Sequence, residues 1–132
     1  MNLDKLQKQD YQTGQVLLID KPLGWTSFQV VNKVRWLIRQ EFDIKKIKVG
    51  HAGTLDPLAS GLLILCTGKF TKQIQSYQAQ HKEYTGTITL GGTTPSYDLE
   101  TDIDQKFAAT GITQEANNKA REQFVGDIMQ QT

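Results

Sequence analysis

Two short apolar runs, at residues 16–19 and 61–66, place the strongest constraint on the fold. Runs of this length match buried strands, because a helix that buries one face needs at least about ten residues. Pro22 and Gly24 follow the first run, where proline removes a backbone donor and glycine gives the freedom for a turn. The sequence therefore predicts two buried strands, the first of them covered on both faces.

A capping box after this turn predicts the start of an amphipathic helix. Residues 26–29 read Thr-Ser-Phe-Gln, a pattern in which the first and last side chains bond to each other's backbone N–H groups. The apolar side chains behind it recur at helical spacing for about three turns: Val30, Val31, Val34, Leu37 and Ile38. We expect Arg35 and Arg39 to lie on the opposite face of this helix.

The rest of the chain predicts further helices and strands. We expect a short strand at residues 47–49, a loop with two glycines and a proline at 50–57, a polar helix at 70–80, an acidic loop at 96–104 and a last helix from about Thr113, with Ala116, Ala120 and Phe124 on one stripe. Residues 84–90 change the period to two, with Tyr84 and Ile88 on one face and threonines on the other, which predicts a strand. Together these elements predict an α+β fold with a mixed, largely antiparallel sheet and flanking helices.

Composition limits the class of protein. The chain has 132 residues, 38% of them hydrophobic, which suffices for one domain; we assign residues 1–13 to a polar N-terminal arm and 14–132 to that domain. The single cysteine, Cys66, excludes an internal disulfide framework, and with two histidines in all we expect no metal site. No apolar stretch reaches the roughly 20 residues of a membrane span, and residues 1–5 lack a signal-peptide core. These features predict a reduced, cytoplasmic protein.

The net charge of +1 conceals an asymmetry along the chain. Residues 1–95 carry 12 basic and 7 acidic side chains, whereas residues 96–132 carry 3 and 7. Six of the basic side chains lie within residues 33–48: Lys33, Arg35, Arg39, Lys45, Lys46 and Lys48. A field of that sign attracts phosphates. A solvated helix face followed by a lysine-rich loop explains the same pattern, and charge alone favours that explanation.

Asp56 is the most informative single residue. It lies in a loop between Leu55 and Pro57, and a carboxylate held between apolar neighbours can act as nucleophile or general base. An Asx-turn before the proline explains the same aspartate, and local pattern favours that turn. In isolation, His51 is likewise better explained as a loop hydrogen-bonder, and Tyr84 as a core tyrosine.

Four segments, in order along the chain, carry a resemblance to a known family. Residues 50–63, GHAGTLDPLASGLL, closely resemble the catalytic-aspartate segment of the TruB family of tRNA pseudouridine synthases. Residues 14–28, GQVLLIDKPLGWTSF, resemble the Lys-Pro motif of that family. Residues 82–91 resemble its tyrosine strand, and residues 93–98 resemble the acidic loop that follows. The resemblance reverses the preferences given above for Asp56, His51 and Tyr84.

The resemblance implies a role for each matching residue. Asp56 is implied as the catalytic nucleophile. The implied substrate-binding residues are Tyr84 against the target base, His51 in the space of an everted nucleotide, and Asp98 near that pocket. Lys21, Pro22 and Gly53 are implied to support the catalytic loop. We further expect Lys45, Lys46 and Lys48, which directly precede that loop, to contact the RNA backbone.

The implied activity is the isomerisation of uridine to pseudouridine at position 55 in the T arm of tRNA. This chemistry implies no cofactor and no metal, and we expect a monomeric protein without a membrane partner. The family's chain continues further and supplies an active-site arginine, whereas the last arginine here, Arg121, lies in no matching motif. We therefore expect the N-terminal portion of a pseudouridine synthase-like catalytic domain. A non-catalytic tRNA-binding or folding module and an inactive fragment of the synthase remain the alternatives.

Overall fold

The computed structural model describes residues 6–130, which divide into two compact units between Tyr84 and Thr85. The first unit contains helix α1 (Lys8–Thr13), strand β1 (Val16–Lys21), helix α2 (Ser27–Phe42), strands β2 (Val49–His51) and β3 (Gly61–Thr67), a 3-10 helix (Gly68–Gln73) and helix α3 (Ile74–Gln78). The second unit contains strands β4 (Gly92–Thr93) and β5 (Gln105–Lys106) and helix α4 (Gln114–Glu122). The predicted α+β class is confirmed.

The sheet of the first unit has the order β1-β3-β2, and both of its pairings are antiparallel. Val16 pairs with Cys66 at one end of the β1–β3 ladder, and Lys21 pairs with Gly61 at the other. The two apolar runs predicted as strands therefore pair with each other along their whole length. Strands β4 and β5 form a separate antiparallel pair in the second unit.

The core lies between one face of the sheet and helix α2. Because side chains alternate along a strand, one set from β1 and β3 faces the helix. The buried cluster comprises Val30, Val31, Ile38, Ile44, Val49, Leu63 and Leu65. On the other face Leu18 and Leu62 are 67% and 62% exposed. The expectation that β1 is buried on both faces is therefore wrong, because α2 covers one face only.

The predicted capping box forms at the start of α2. The Thr26 hydroxyl accepts from the Gln29 N–H at 3.1 Å, and the Gln29 side chain accepts from the Thr26 N–H at 2.8 Å. The helix has 16 residues, more than the three turns predicted, and it ends at Asp43 in the left-handed region. Leu37, predicted to face the core, is about half exposed.

Arg35 and Arg39, predicted on the face of α2 opposite its apolar stripe, bond to carbonyls of the residues that follow the helix. The Arg35 guanidinium donates to the Val49 carbonyl at 3.1 Å, and Arg39 Nε donates to the Ile44 carbonyl at 3.4 Å. Both arginines therefore reach the residues between the end of α2 and the start of β2. They hold the 43–49 connection against α2.

Part of the predicted N-terminal arm is ordered secondary structure. Helix α1 packs on the core through Tyr11, whose ring centroid lies 5.5 Å from that of Phe42. The Thr67 hydroxyl also donates to the Tyr11 carbonyl at 2.8 Å. Residues 8–13 of the predicted arm therefore form a helix that contacts the core, while residues 1–5 of that arm lie outside the described residues. The domain boundary at residue 14 stays a prediction.

Two predicted strands differ from the structure. The strand expected at residues 47–49 lies at Val49–His51, so the following loop begins after His51. Residues 84–90 form no strand, and none of them makes a backbone hydrogen bond to another described residue. Their alternation is a property of the sequence, but a strand also needs a neighbour to pair with.

The predicted helices are confirmed in position. The polar helix expected at 70–80 forms as a 3-10 turn that continues into α3. The last helix begins after Thr113, whose hydroxyl accepts from the Ala116 N–H at 3.1 Å. The stripe of Ala116, Ala120 and Phe124 is exposed, however, because no other described element of the second unit packs on it.

Candidate active site

The loop that carries Asp56 connects β2 to β3. Asp56 is exposed, whereas Leu55 and Pro57 on either side of it are half-buried. The Asp56 carbonyl accepts from the Ala59 N–H at 2.9 Å, which closes a tight turn after the aspartate. Its carboxylate forms no hydrogen bond or ion pair with any residue from 6 to 130. The Asx-turn alternative needs such a side-chain bond, so the geometry does not support it.

Ser27 holds the residue before Asp56 by two hydrogen bonds. The Ser27 hydroxyl donates to the Leu55 carbonyl at 3.0 Å and accepts from the Leu55 N–H at 2.9 Å. Ser27 is buried at the first position of helix α2, on the face it shares with Val30 and Val31. One side chain therefore satisfies both backbone groups of Leu55.

Gly24 holds the residue after Asp56. The Gly24 N–H donates to the Pro57 carbonyl at 2.7 Å. Gly24 has a φ of +84°, in the left-handed region where a side chain is strained, so glycine suits this position. Asp56 is thus anchored on both sides, through Leu55 to the first residue of α2 and through Pro57 to the turn that precedes this helix.

Lys21 fixes the turn to which this anchor belongs. Its side chain is fully buried, and its ammonium donates to the carbonyls of Pro22 and Trp25. A buried cation needs such partners, since an unpaired one is strongly disfavoured. Lys21 and Pro22 therefore lie in the turn whose Gly24 contacts the Asp56 loop, which is where the sequence predicts supporting residues.

His51 and Gly53 lie at the start of the Asp56 loop. The His51 Nδ1 atom lies 2.7 Å from the Gly53 carbonyl oxygen. A carbonyl oxygen only accepts, so Nδ1 carries the hydrogen in this bond and orients the ring. Gly53 has a φ of +109°, which favours glycine, and it completes the turn to which the His51 ring bonds.

Tyr84 is exposed at the end of the first unit rather than packed in a core. Its side chain is 67% exposed, and the segment around it is not a strand. Two residues earlier, Lys82 brings its Cε atom to 3.9 Å from the place where a Cβ on Gly53 would lie. The ammonium of Lys82 donates to the carbonyls of Gln78 and Gln80. The chain just before Tyr84 therefore lies beside the Asp56 loop.

Asp98 lies in the second unit, where it organises a turn. Its carboxylate accepts from the Ser96 hydroxyl at 2.6 Å and from the Glu100 N–H at 2.9 Å. These bonds, that from Ser96 first, lower the pKa of Asp98 below its ordinary value. Tyr97 beside it has a φ of +62°, so the turn holds a non-glycine residue in the left-handed region.

Lys45, Lys46 and Lys48 are exposed on the connection between α2 and β2. The arginines of the same basic stretch, Arg35 and Arg39, are bonded to carbonyls of that connection. The three lysines therefore present to solvent cationic ends that bond to no residue from 6 to 130, while the arginines shape the segment that carries them. Cys66 is buried in β3, and burial raises the pKa of its thiol.

Sequence reasoning missed Ser27 and Gly24 as parts of the site. Ser27 was interpreted only as a member of the capping box. The sequence does contain a signal that Ser27 is buried. Ser27 precedes Val30 by three residues and Val31 by four, a helical spacing that places all three on one face. A hydroxyl on a buried face requires a partner, and here the partner is Leu55.

Comparison with known proteins places the chain in a family. The model of the TruB family pseudouridylate synthase (N terminal domain) matches residues 39–132. A match over most of the chain defines the class, and the chain belongs to the TruB family.

Three similar relatives are each named tRNA pseudouridine synthase B. The tRNA pseudouridine synthase B of Flavobacterium johnsoniae is 58% identical over 123 residues, which is 92% of this chain and 54% of that protein. The tRNA pseudouridine synthase B of Bacteroides fragilis is 53% identical over 121 residues, 92% of this chain and 52% of that protein. That of Chlorobaculum tepidum is 45% identical over 120 residues. The chain spans about half the length of the curated relatives it matches.

Within residues 6–130, no three or more histidine, cysteine, aspartate or glutamate side chains are grouped as a metal ion would require. None of the helices in this range combines the length and the apolar character that crossing a membrane requires.

Proposed function

We propose that this chain carries the catalytic aspartate of a tRNA pseudouridine synthase, an isomerase that converts uridine into pseudouridine. Membership of the TruB family supports the proposal, and so do relatives named tRNA pseudouridine synthase B. The observation that carries it is the geometry of one loop. Asp56 is exposed, while Leu55 is hydrogen-bonded to the first residue of α2 and Pro57 to the turn before that helix.

In the proposed reaction Asp56 is the nucleophile: its carboxylate forms a bond to the target nucleoside, and this bond breaks again before the product leaves. The bond between the sugar C1′ and the uracil N1 breaks, the uracil rotates, and a bond forms between C1′ and C5. C5 loses its proton and N1 gains one, so the product has the same atoms as the substrate. The chain's own contribution is a carboxylate on a backbone anchored through both neighbouring residues and a proton acceptor, for which we propose Tyr84.

The proposed substrate is the uridine at position 55 in the T arm of tRNA. A base inside a folded loop must leave its stack before a side chain reaches it, which costs a few kcal/mol. Stacking on the exposed Tyr84 ring offsets part of this cost, since such contacts contribute about 1–3 kcal/mol per base. In this proposal His51 fills the vacated space, and Asp98 provides a polar contact near the pocket.

The exposed lysines of the basic connection are proposed to contact the RNA backbone. Lys45, Lys46 and Lys48 lie on the segment that leads into β2 and from there into the Asp56 loop. Phosphate contacts of this kind position the RNA, and the shape of the loop then gives selectivity. Affinity from these lysines is expected to fall as salt rises. A cofactor-free reaction of a monomeric, cytoplasmic protein stays the expectation from sequence.

The test is pseudouridine formation by a full-length hybrid, in which this chain replaces the matching part of the Flavobacterium johnsoniae relative. A T-arm transcript tritiated at C5 of uridine releases tritium as the new bond forms. We expect Asp56→Asn to lower the single-turnover rate by at least about 10³-fold, because the nucleophile is removed.

The matched control is Asp20→Asn, which makes the same change at an exposed aspartate on β1. It is expected to keep the wild-type rate. Equal rates for Asp56→Asn and the wild type would contradict the assignment of the nucleophile. Tight T-arm binding by a folded hybrid that makes no product would instead support the tRNA-binding module.

A further inference from the structure

Three features of Ser27 connect the start of α2 to the loop that carries Asp56. It is only 3% exposed, it occupies the first position of α2, and its hydroxyl acts as donor and acceptor toward a single residue of a distant loop. The two bonds join residues that are 28 positions apart in the chain. They fix the Leu55 peptide groups to the first turn of α2, the helix that packs on the sheet.

We propose that Ser27 is the positioning residue for the Asp56 carboxylate. This rests on the proposed function and deepens it, because it names what holds the nucleophile in place. Leu55 precedes Asp56 directly, so its carbonyl and N–H set the direction in which the chain enters Asp56. The Gly24 N–H fixes the following residue through the Pro57 carbonyl, so Asp56 has little freedom except in its own side chain.

The chemistry explains why a hydroxyl is needed at residue 27. Leu55 presents one donor and one acceptor to the start of α2, and a hydroxyl is the smallest group that satisfies both. Alanine at this position leaves both groups of Leu55 without partners, and the loop then shifts to reach water. A reacting carboxylate must be held within about 0.5 Å of its productive place, so a small shift matters.

The neighbouring Thr26 provides a matched control. Thr26 and Ser27 are adjacent hydroxyl residues at the start of the same helix. The Thr26 hydroxyl accepts from the Gln29 N–H within the helix, whereas that of Ser27 bonds to the Asp56 loop. Thr26→Ala therefore weakens α2 and leaves the contacts of Leu55 in place, while Ser27→Ala removes those contacts and leaves the cap in place.

The first experiment is hydrogen exchange of the 132-residue chain, followed by NMR at single amides. The quantity measured is the exchange rate of the Leu55 amide divided by that of the Leu65 amide in the same sample, which corrects for global unfolding. We expect Ser27→Ala to raise this ratio by about 3- to 10-fold, as the loss of one hydrogen bond implies. Thr26→Ala is expected to leave the ratio unchanged.

The second experiment measures single-turnover pseudouridine formation by the full-length hybrid. We expect Ser27→Ala to lower the maximal rate by roughly 10- to 100-fold, because a displacement of about 1 Å has effects of that size. The tRNA concentration that gives half the maximal rate is expected to stay within about threefold, since Ser27 itself touches no RNA in this proposal. Ser27→Thr, which keeps the hydroxyl, is expected to recover most of the rate.

The outcomes separate this proposal from the one on which it rests. If Ser27→Ala and Thr26→Ala have the same maximal rate in a hybrid whose Asp56→Asn variant is inactive, Ser27 is not a positioning residue. An unchanged exchange ratio in Ser27→Ala overturns the proposal on structural grounds alone. If the wild-type hybrid makes no product, the proposed function fails, and the positioning of a nucleophile fails with it whatever the exchange ratio shows.

Discussion

The two units of this chain use apolar side chains in different ways. In the first unit a helix lies on one face of a three-stranded sheet, and Leu63 and Leu65 of the central strand are buried between them. In the second unit no described residue is buried, and Ile88 and Phe124 are 87% and 72% exposed. Both units contain strands and a capped helix, so the difference does not lie in the kinds of element.

The difference shows that burial depends on a partner surface more than on pattern. Residues 84–90 alternate as cleanly as a half-buried strand should, yet their apolar side chains are exposed. In place of a core, the second unit has short-range hydrogen bonds, such as the one from the Thr93 hydroxyl to Asp104 at 2.8 Å. Bonds of this kind shape turns, but exposed to water each contributes little to global stability.

The largest expected effect on the free energy of unfolding comes from removing one apolar side chain in each of the two units. Leu65→Ala is expected to lower the free energy of unfolding of the first unit by about 2–5 kcal/mol, because it leaves a cavity at a fully buried site. Phe124→Ala is expected to change the free energy of unfolding of the first unit by less than about 0.5 kcal/mol. Urea unfolding followed by tryptophan fluorescence measures this directly, since both tryptophans, Trp25 and Trp36, lie in the first unit. A loss above 1 kcal/mol in Phe124→Ala would break the comparison.

A smaller effect on stability is expected from removing the threonine caps of α2 and α4. Thr26→Ala removes the cap of α2 and is expected to lower the stability of the first unit by about 0.5–2 kcal/mol, because α2 supplies one side of its core. Thr113→Ala removes the equivalent cap of α4, whose residues are exposed. We expect it to reduce the helical signal in far-UV circular dichroism without moving the tryptophan unfolding curve. Equal shifts of that curve in both variants would show that α4 supports the core after all.

The smallest effect concerns the Asp98 turn and is measured as a pKa. The bond from Ser96 lowers the pKa of Asp98, so Ser96→Ala is expected to raise that pKa toward its ordinary value. A lowered pKa in the folded chain means that the turn is favoured while Asp98 is charged, and that this contribution is lost as pH falls through the folded pKa. An NMR titration of the Asp98 carboxyl carbon measures the shift. Thr94→Val is the control, because the Thr94 hydroxyl donates to the Asp98 carbonyl and not to its carboxylate.

Elements defined by local signals were predictable from the sequence. The apolar runs gave the positions of β1 and β3, and the capping box gave the start of α2. Each of these signals lies within the segment it describes, so periodicity and capping chemistry suffice to read it. The strand expected at residues 84–90 depended on a neighbour, which no local pattern provides.

The sequence proposes the residues of the candidate site, whose roles stay predictions, but it does not predict their contacts. Asp56, His51 and Lys21 stand out by motif, and the resemblance assigned their roles. Which groups hold Asp56 in place depends on the contact between the start of α2 and the loop after β2. That contact joins segments far apart in sequence, and only the packing of α2 on the sheet brings them together.

The strand order also has a consequence for synthesis on the ribosome. Because β3 lies between β1 and β2, neither earlier strand has a neighbour until β3 leaves the exit tunnel. Helix α2 is complete long before that and exposes its apolar face in the meantime. The loop that bears Asp56 emerges between β2 and β3, so it gains a fixed position only as the nascent sheet closes around its last strand. The candidate site is therefore assembled in the same step as the core that supports it.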